Sequence, residues 1–144
     1  MRYAILLLLL AGCAAQQPAP VESPTVPPAP PPATTPQRQE NVAIAGLMDS
    51  AKKDASSGKL GSAAASLERA LRIEPRNPRL WHELARVRLK QGQYGQAESV
   101  AARSNSWAGD DRTLRAENWR LIAQAREARG DAEGAKAALD QSAR

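Results

Sequence analysis

The stretch Pro78–Gly109, PRLWHELARVRLKQGQYGQAESVAARSNSWAG, decides the fold. Trp81, Leu84, Ala85 and Leu89 recur at helical spacing, Gly92 interrupts, and Tyr94, Ala97 and Ala101 resume the pattern. Apolar residues three and four apart share one side of a helix, and an isolated glycine between two such runs marks a turn. The stretch reads as two antiparallel helices, with Ala85 and Ala97 small enough to let the backbones approach closely.

The same pattern stands on either side. Gly58, Gly92 and Gly130 are equivalent turns; Leu47, Trp81 and Trp119 each precede them by 11 residues, and Ala51, Ala85 and Ala123 by seven. Ala63, Ala97 and Ala135 follow by five residues, and Leu67, Ala101 and Leu139 by nine. The steps are 34 and 38 residues, with the extra four read as a loop within residues 104–115. A period of this length marks a stack of helix–turn–helix units, each burying its apolar stripe only against its neighbours.

These residues resemble the tetratricopeptide repeat family. Repeat one supplies Leu47, Ala51, Gly58, Leu60, Ala63, Leu67, Ala70 and Pro75; repeat two Trp81, Leu84, Ala85, Gly92, Tyr94 and Ala97; repeat three Trp119, Ile122, Ala123, Gly130, Ala135 and Leu139. Ser50 and Gly109 depart from the pattern, standing where it has a large apolar residue and a proline. The resemblance implies an all-α domain of three repeats, six helices in a short right-handed superhelix. The expected helices are 41–57, 60–73, 78–91, 94–104, 111–129 and 131–142. Glu74-Pro75 ends the second helix, because the residue before proline avoids the helical region. Asn77 caps the third with Pro78 in its first turn, Asp110 or Asp111 caps the fifth, and Asp131 the sixth. Trp81 and Trp119 are expected in the core. Trp107 falls in the inserted loop, either packed back as a lid or exposed as a contact residue.

The N-terminus carries a different signal. Arg2 precedes an apolar run at 4–11 that is too short to span a bilayer as a mature helix. The run ends in Leu10-Ala11-Gly12-Cys13, which resembles the lipobox of bacterial lipoproteins: leucine, two small residues that admit the peptidase, and a cysteine that takes lipid. That resemblance implies a cleaved signal peptide at 1–12 and lipidation of Cys13. Each buried methylene contributes about 0.8 kcal/mol, so two or more acyl chains hold the chain on a membrane. Ala14 stands in place of the aspartate associated with inner-membrane retention, which implies the periplasmic side of the outer membrane of a Gram-negative bacterium. Cys13 is the only cysteine, so the chain has no intramolecular disulfide and no multi-cysteine metal site.

Nine of the 11 prolines lie between Pro18 and Pro36, so residues 13–40 are expected to be a disordered proline-rich linker and 41–144 the repeat domain. Near polyproline II, at about 3.1 Å per residue, this stalk reaches on the order of 80 Å.

The formal net charge is +5, and residues 1–40 hold two charges of each sign, Arg2 and Arg38 against Glu22 and Glu40, so the repeats carry the excess. In the family, the first helix of each repeat lines a groove. Here those faces hold Met48 and Lys52, then Arg79, His82, Arg86 and Lys90, then Arg120, Gln124 and Glu127. The 79, 82, 86, 90 spacing puts a cationic strip on one helix face. It suits an acidic or carboxylate-bearing peptide, with salt-sensitive affinity; alternatively it is a solvated charged face. The carboxylate clamp of chaperone-binding members is absent, since the matching positions hold Met48, Lys52, Glu83, Glu117 and Leu121 and only Lys52 has suitable charge.

No catalytic chemistry is legible. His82-Glu83-Leu84-Ala85-Arg86 begins like a zinc-protease helix, but Arg86 replaces the second histidine ligand. No phosphate-cradling glycine loop and no Gly-x-Ser-x-Gly elbow is present. His82, the only histidine, reads as a surface residue. The expectation is no enzyme, no cofactor and no metal site. Nucleic acid is not an expected partner: no aromatic stacking platform accompanies the charges, and an exported chain rarely meets phosphate backbones. The expected role is a lipid-anchored periplasmic adaptor for a protein partner, in peptidoglycan maintenance or envelope assembly. The alternatives are a pilotin-like escort of a secretin or pilus component, and a structural lipoprotein that binds peptidoglycan directly.

Overall fold

The computed structural model describes residues 36–144. Among them are six helices and no strand: α1 Pro36–Ser56, α2 Leu60–Ile73, α3 Pro78–Lys90, α4 Tyr94–Trp107, α5 Arg112–Ala128 and α6 Ala132–Ser142. The expected signal segment, Cys13 and most of the proline-rich stretch lie outside the described residues. No described helix is long and apolar enough to cross a membrane.

Three antiparallel pairs, α1/α2, α3/α4 and α5/α6, stack in chain order. The turns that make the pairs are built alike. Gly92 has φ 73° and Gly130 φ 84°, a left-handed conformation that a Cβ opposes. The Gln93 amide donates to the Arg88 carbonyl at 2.9 Å and the Gly92 amide to Leu89 at 3.0 Å. At the next repeat the Asp131 amide reaches Arg126 at 3.0 Å and the Gly130 amide Glu127 at 2.9 Å, so the last carbonyls of α3 and α5 are satisfied in the same way.

The helix starts follow from short polar side chains. Asn77 Oδ1 accepts from the Arg79 amide at 3.0 Å, with Pro78 in the first turn. Of the two candidate caps for α5, Asp111 serves, accepting from the Leu114 amide at 3.0 Å. Asp131 accepts from the Gly134 amide at 2.8 Å.

The small residues sit where the helices touch. Ala51, Ala85 and Ala123 are buried, as are Ala63, Ala97 and Ala135. One apolar cluster joins α1, α2 and α3 around Leu67, Leu80 and Leu84; a second joins α3 to α6 around Ala85, Ala101, Ile122 and Ala138; Val100 packs against both. Leu67, Leu80 and Ile122 are almost wholly enclosed, and each such burial stabilises by about 1.5–3 kcal/mol. Leu139 breaks the pattern at 49% exposed, because α6 is the last helix and no further repeat covers it.

Two boundaries differ from those expected by more than one residue. α1 begins at Pro36, so residues 36–40 belong to the first helix and not to the linker. Proline suits a first helical turn, where its missing amide is not needed, and the Gln-Arg-Gln-Glu that follows is a helix-favouring run. α4 continues to Trp107, which gives it the same 14 residues as α2, and the four inserted residues lengthen α5, with 17 residues against 13 in α3, and do not form a loop. Serine and asparagine are indifferent helix formers. The extra turn is held from outside: Ser104 Oγ donates to the Pro78 carbonyl at 2.8 Å, and Asn118 Nδ2 donates to Ser104 Oγ at 2.7 Å and to Asn105 Oδ1 at 2.9 Å.

Candidate functional site

A cleft of about 420 Å³ opens between α1, α3 and α5. Met48 and Lys52 come from α1, Arg79, His82, Glu83 and Arg86 from α3, and Leu114, Glu117, Arg120, Leu121 and Gln124 from α5. Three first helices thus face one opening, with lining residues spaced three, four or seven apart so that they lie on one side of each helix. Six of the eight residues singled out from sequence converge here: Lys52, Arg79, His82, Arg86, Arg120 and Gln124. Lys90 lies further along and lines a smaller adjoining recess of about 210 Å³ with Lys52, Glu83 and Arg86. Glu127 lines neither and stands exposed near the end of α5.

The cleft is not a uniform cationic strip. Arg79 Nη2 lies 3.2 Å from Asp111 Oδ2, the other oxygen of the α5 cap, and Arg86 Nη1 lies 3.2 Å from Glu83 one turn back. Arg79 is 73% exposed on its side chain, so its pair is screened and contributes little stability. Even so, it and the Glu83 pair cancel much of the field along α3. Lys52 and Arg120 line the cleft with no ion pair among the described residues, one on each wall. Leu114 and Leu121 are buried and give the floor apolar surface. What the cleft offers is an apolar floor between two cations that make no ion pair among the described residues, with Glu117 on the same lining.

His82 is not the surface residue expected from its charged helix, for its side chain is only 12% exposed. Its Nδ1 lies 2.8 Å from Asn118 Oδ1, and Asn118, fully buried on α5, donates both amide protons toward α4. With both donors of Asn118 committed, its Oδ1 must accept, so the network places a proton on Nδ1 of His82. Nε2 then faces the cleft, 3.9 Å from Glu117 Oε2. The chain His82–Asn118–Ser104–Pro78 ties α3, α4 and α5 together behind the cleft and fixes the angle at which its walls meet. Sequence reading missed it, since its members lie 36, 14 and 26 residues apart and no local pattern announces such a network.

The tryptophans divide. Trp81 is half-buried, its Nε1–H donates to the Pro75 carbonyl at 2.8 Å, and the Arg103 guanidinium lies 4.8 Å over its ring. Trp119 is half-buried against the second apolar cluster. Trp107 is not in a loop; it ends α4, 40% exposed, with Arg76 at 5.1 Å from its ring.

Stacked helix pairs with glycine turns, buried alanines and a cleft formed by the first helices define a tetratricopeptide repeat protein, and the chain belongs to that family. The tetratricopeptide repeat model matches residues 55–117. The chain is similar to the globular C-terminal domain of LpoP from P. aeruginosa, with 47% identity and a TM-score of 0.70 over 71% of this chain and 96% of that one. It shares its fold with the N-terminal domain of stress-induced protein-1 from C. elegans, with 15% identity and a TM-score of 0.66 over 72% of this chain and 83% of that one. No curated protein sequence matches it.

Proposed function

We propose that the protein is a lipid-anchored periplasmic adaptor. Its cleft binds an acidic segment of a protein partner at the outer membrane, in the service of peptidoglycan maintenance. The observation that carries this reading is the cleft itself, where Lys52 and Arg120 flank an apolar floor and neither is in an ion pair among the described residues. Such a surface recognises a chain that combines carboxylates with apolar side chains, and its cations steer encounter as well as hold the complex. The extended match to the LpoP domain supports the same placement. On this reading the protein binds a partner, and His82 serves in the network behind the cleft.

The anchor rests on Leu10-Ala11-Gly12-Cys13. Cys13→Ser should abolish labelling by palmitate fed to the cells and release the protein from the membrane fraction. Retention of label or of membrane association after the substitution would sink the anchored reading. The adaptor reading is separated from its alternatives by two further measurements. Deletion that abolishes secretin or pilus multimers, with cell-wall turnover unchanged, would mark an assembly factor. Binding of the pure protein to purified sacculi stripped of protein would mark a direct glycan binder.

A further inference from the structure

A second cleft, of about 350 Å³, opens beside α5 and α6, and its wall includes Asn105, Arg112, Arg115, Ala116, Trp119 and Arg144. At about 100° per residue, positions 112, 115, 116 and 119 lie on the side of α5 away from 114, 117, 121 and 124, which face the first cleft. The two clefts are therefore on opposite sides of one helix.

Three arginines line this second cleft with no aspartate or glutamate among the lining residues, and none of the three makes an ion pair among the described residues. Cations gathered in this way repel one another unless an anion joins them. Asn105, on the same wall, accepts from Asn118 through Oδ1 and so belongs to the network that holds α4 against α5. Trp119 and Ala116 add an apolar side, and the space is larger than an isolated oxyanion fills.

We infer that this cleft is a second peptide-binding site, which takes a carboxylate-bearing segment, its carboxylate held by Arg112 and Arg115 and its carbon skeleton against Trp119. Guanidinium forks match carboxylates with two parallel hydrogen bonds, which sets the chemistry of the ligand. The inference stands apart from the adaptor reading, because none of its residues lines the first cleft.

The test uses the three tryptophans as separate reporters. The full chain, in neutral detergent micelles, is titrated with acetyl-Ala-Glu-Glu-Ala-amide, with its Gln-Gln counterpart and with inorganic phosphate, and the indole N–H resonances are followed. The acidic peptide should move the Trp119 signal and leave those of Trp81 and Trp107 in place. Arg112→Gln with Arg115→Gln should weaken binding about tenfold, while Lys52→Gln with Arg120→Gln should not change it. Should the double variant lose helical signal, Arg115→Lys keeps the charge, removes the fork, and should still weaken binding. A Trp119 shift of equal size with the Gln-Gln peptide, or phosphate binding as tightly as the acidic peptide, overturns the inference. So does the absence of a response at Trp119.

Discussion

At the scale of single residues, Asn118 matters most. It is fully buried, and its amide is shared among His82, Ser104 and Asn105. Asn118→Leu keeps roughly the volume but leaves several enclosed polar groups without partners, so it should destabilise the fold by about 2–4 kcal/mol, read as a lower urea midpoint. A loss below about 0.5 kcal/mol would mean that water replaces the network without penalty. His82 illustrates how far sequence reaches at this scale. Its neighbours along the helix are charged, which suggested exposure, yet its ring is turned into a partner 36 residues away. The alanines were legible for the opposite reason. Their spacing repeats three times, and repetition is visible without any knowledge of contacts.

At the scale of elements, the turns and the joints between repeats set the geometry. Gly92→Ala forces a Cβ onto a residue with φ 73° and should cost about 1 kcal/mol in thermal or chemical unfolding. An unchanged stability would show that the turn relaxes to another conformation.

The joints use a device that a closer reading of the repeats would have found. Arg88 and Arg126 both stand four residues before a turn glycine, and both reach back to the preceding repeat. Arg88 pairs with Glu68 of α2; Arg126 Nη2 lies 2.6 Å from Glu98 Oε1 of α4, with Arg129 at 3.1 Å from the other oxygen. Arg126 Nη1 also donates to the Gly134 carbonyl of α6 at 3.1 Å. These side chains are only partly exposed, so the pair is expected to count for more than a surface ion pair. A double-mutant cycle on Glu98→Gln and Arg126→Gln should return a coupling of about 1 kcal/mol. A coupling near zero would reduce the joint to apolar packing alone. The length of α4 was the element-scale surprise. Serine and asparagine propensities end the helix at 104 on local grounds, and only the bonds from Pro78 and Asn118 carry it on to Trp107.

At the scale of the molecule, three repeats place three first helices around one cleft and leave α6 as an uncovered end. The fold was legible in the sequence because a solenoid is written as a period. The site was only half legible. Helical spacing located the residues that face the cleft, but neutralisation by Asp111 and Glu83 depends on where α5 sits against α3 and on a rotamer, and neither is in the spacing. In the proposed adaptor role the cations assigned to binding are therefore Lys52 and Arg120, and not the strip along α3. The most direct measurement installs the photo-crosslinking residue p-benzoylphenylalanine at Gln124 in the cleft, or at Ala137 on α6, in cells that produce the full chain. The account predicts that one envelope protein is captured from position 124 and not from 137. It also predicts that capture is lost when Lys52→Glu and Arg120→Glu are added to a chain with unchanged helical signal. Equal capture from both positions, or capture from 124 that survives the charge reversals, would contradict it.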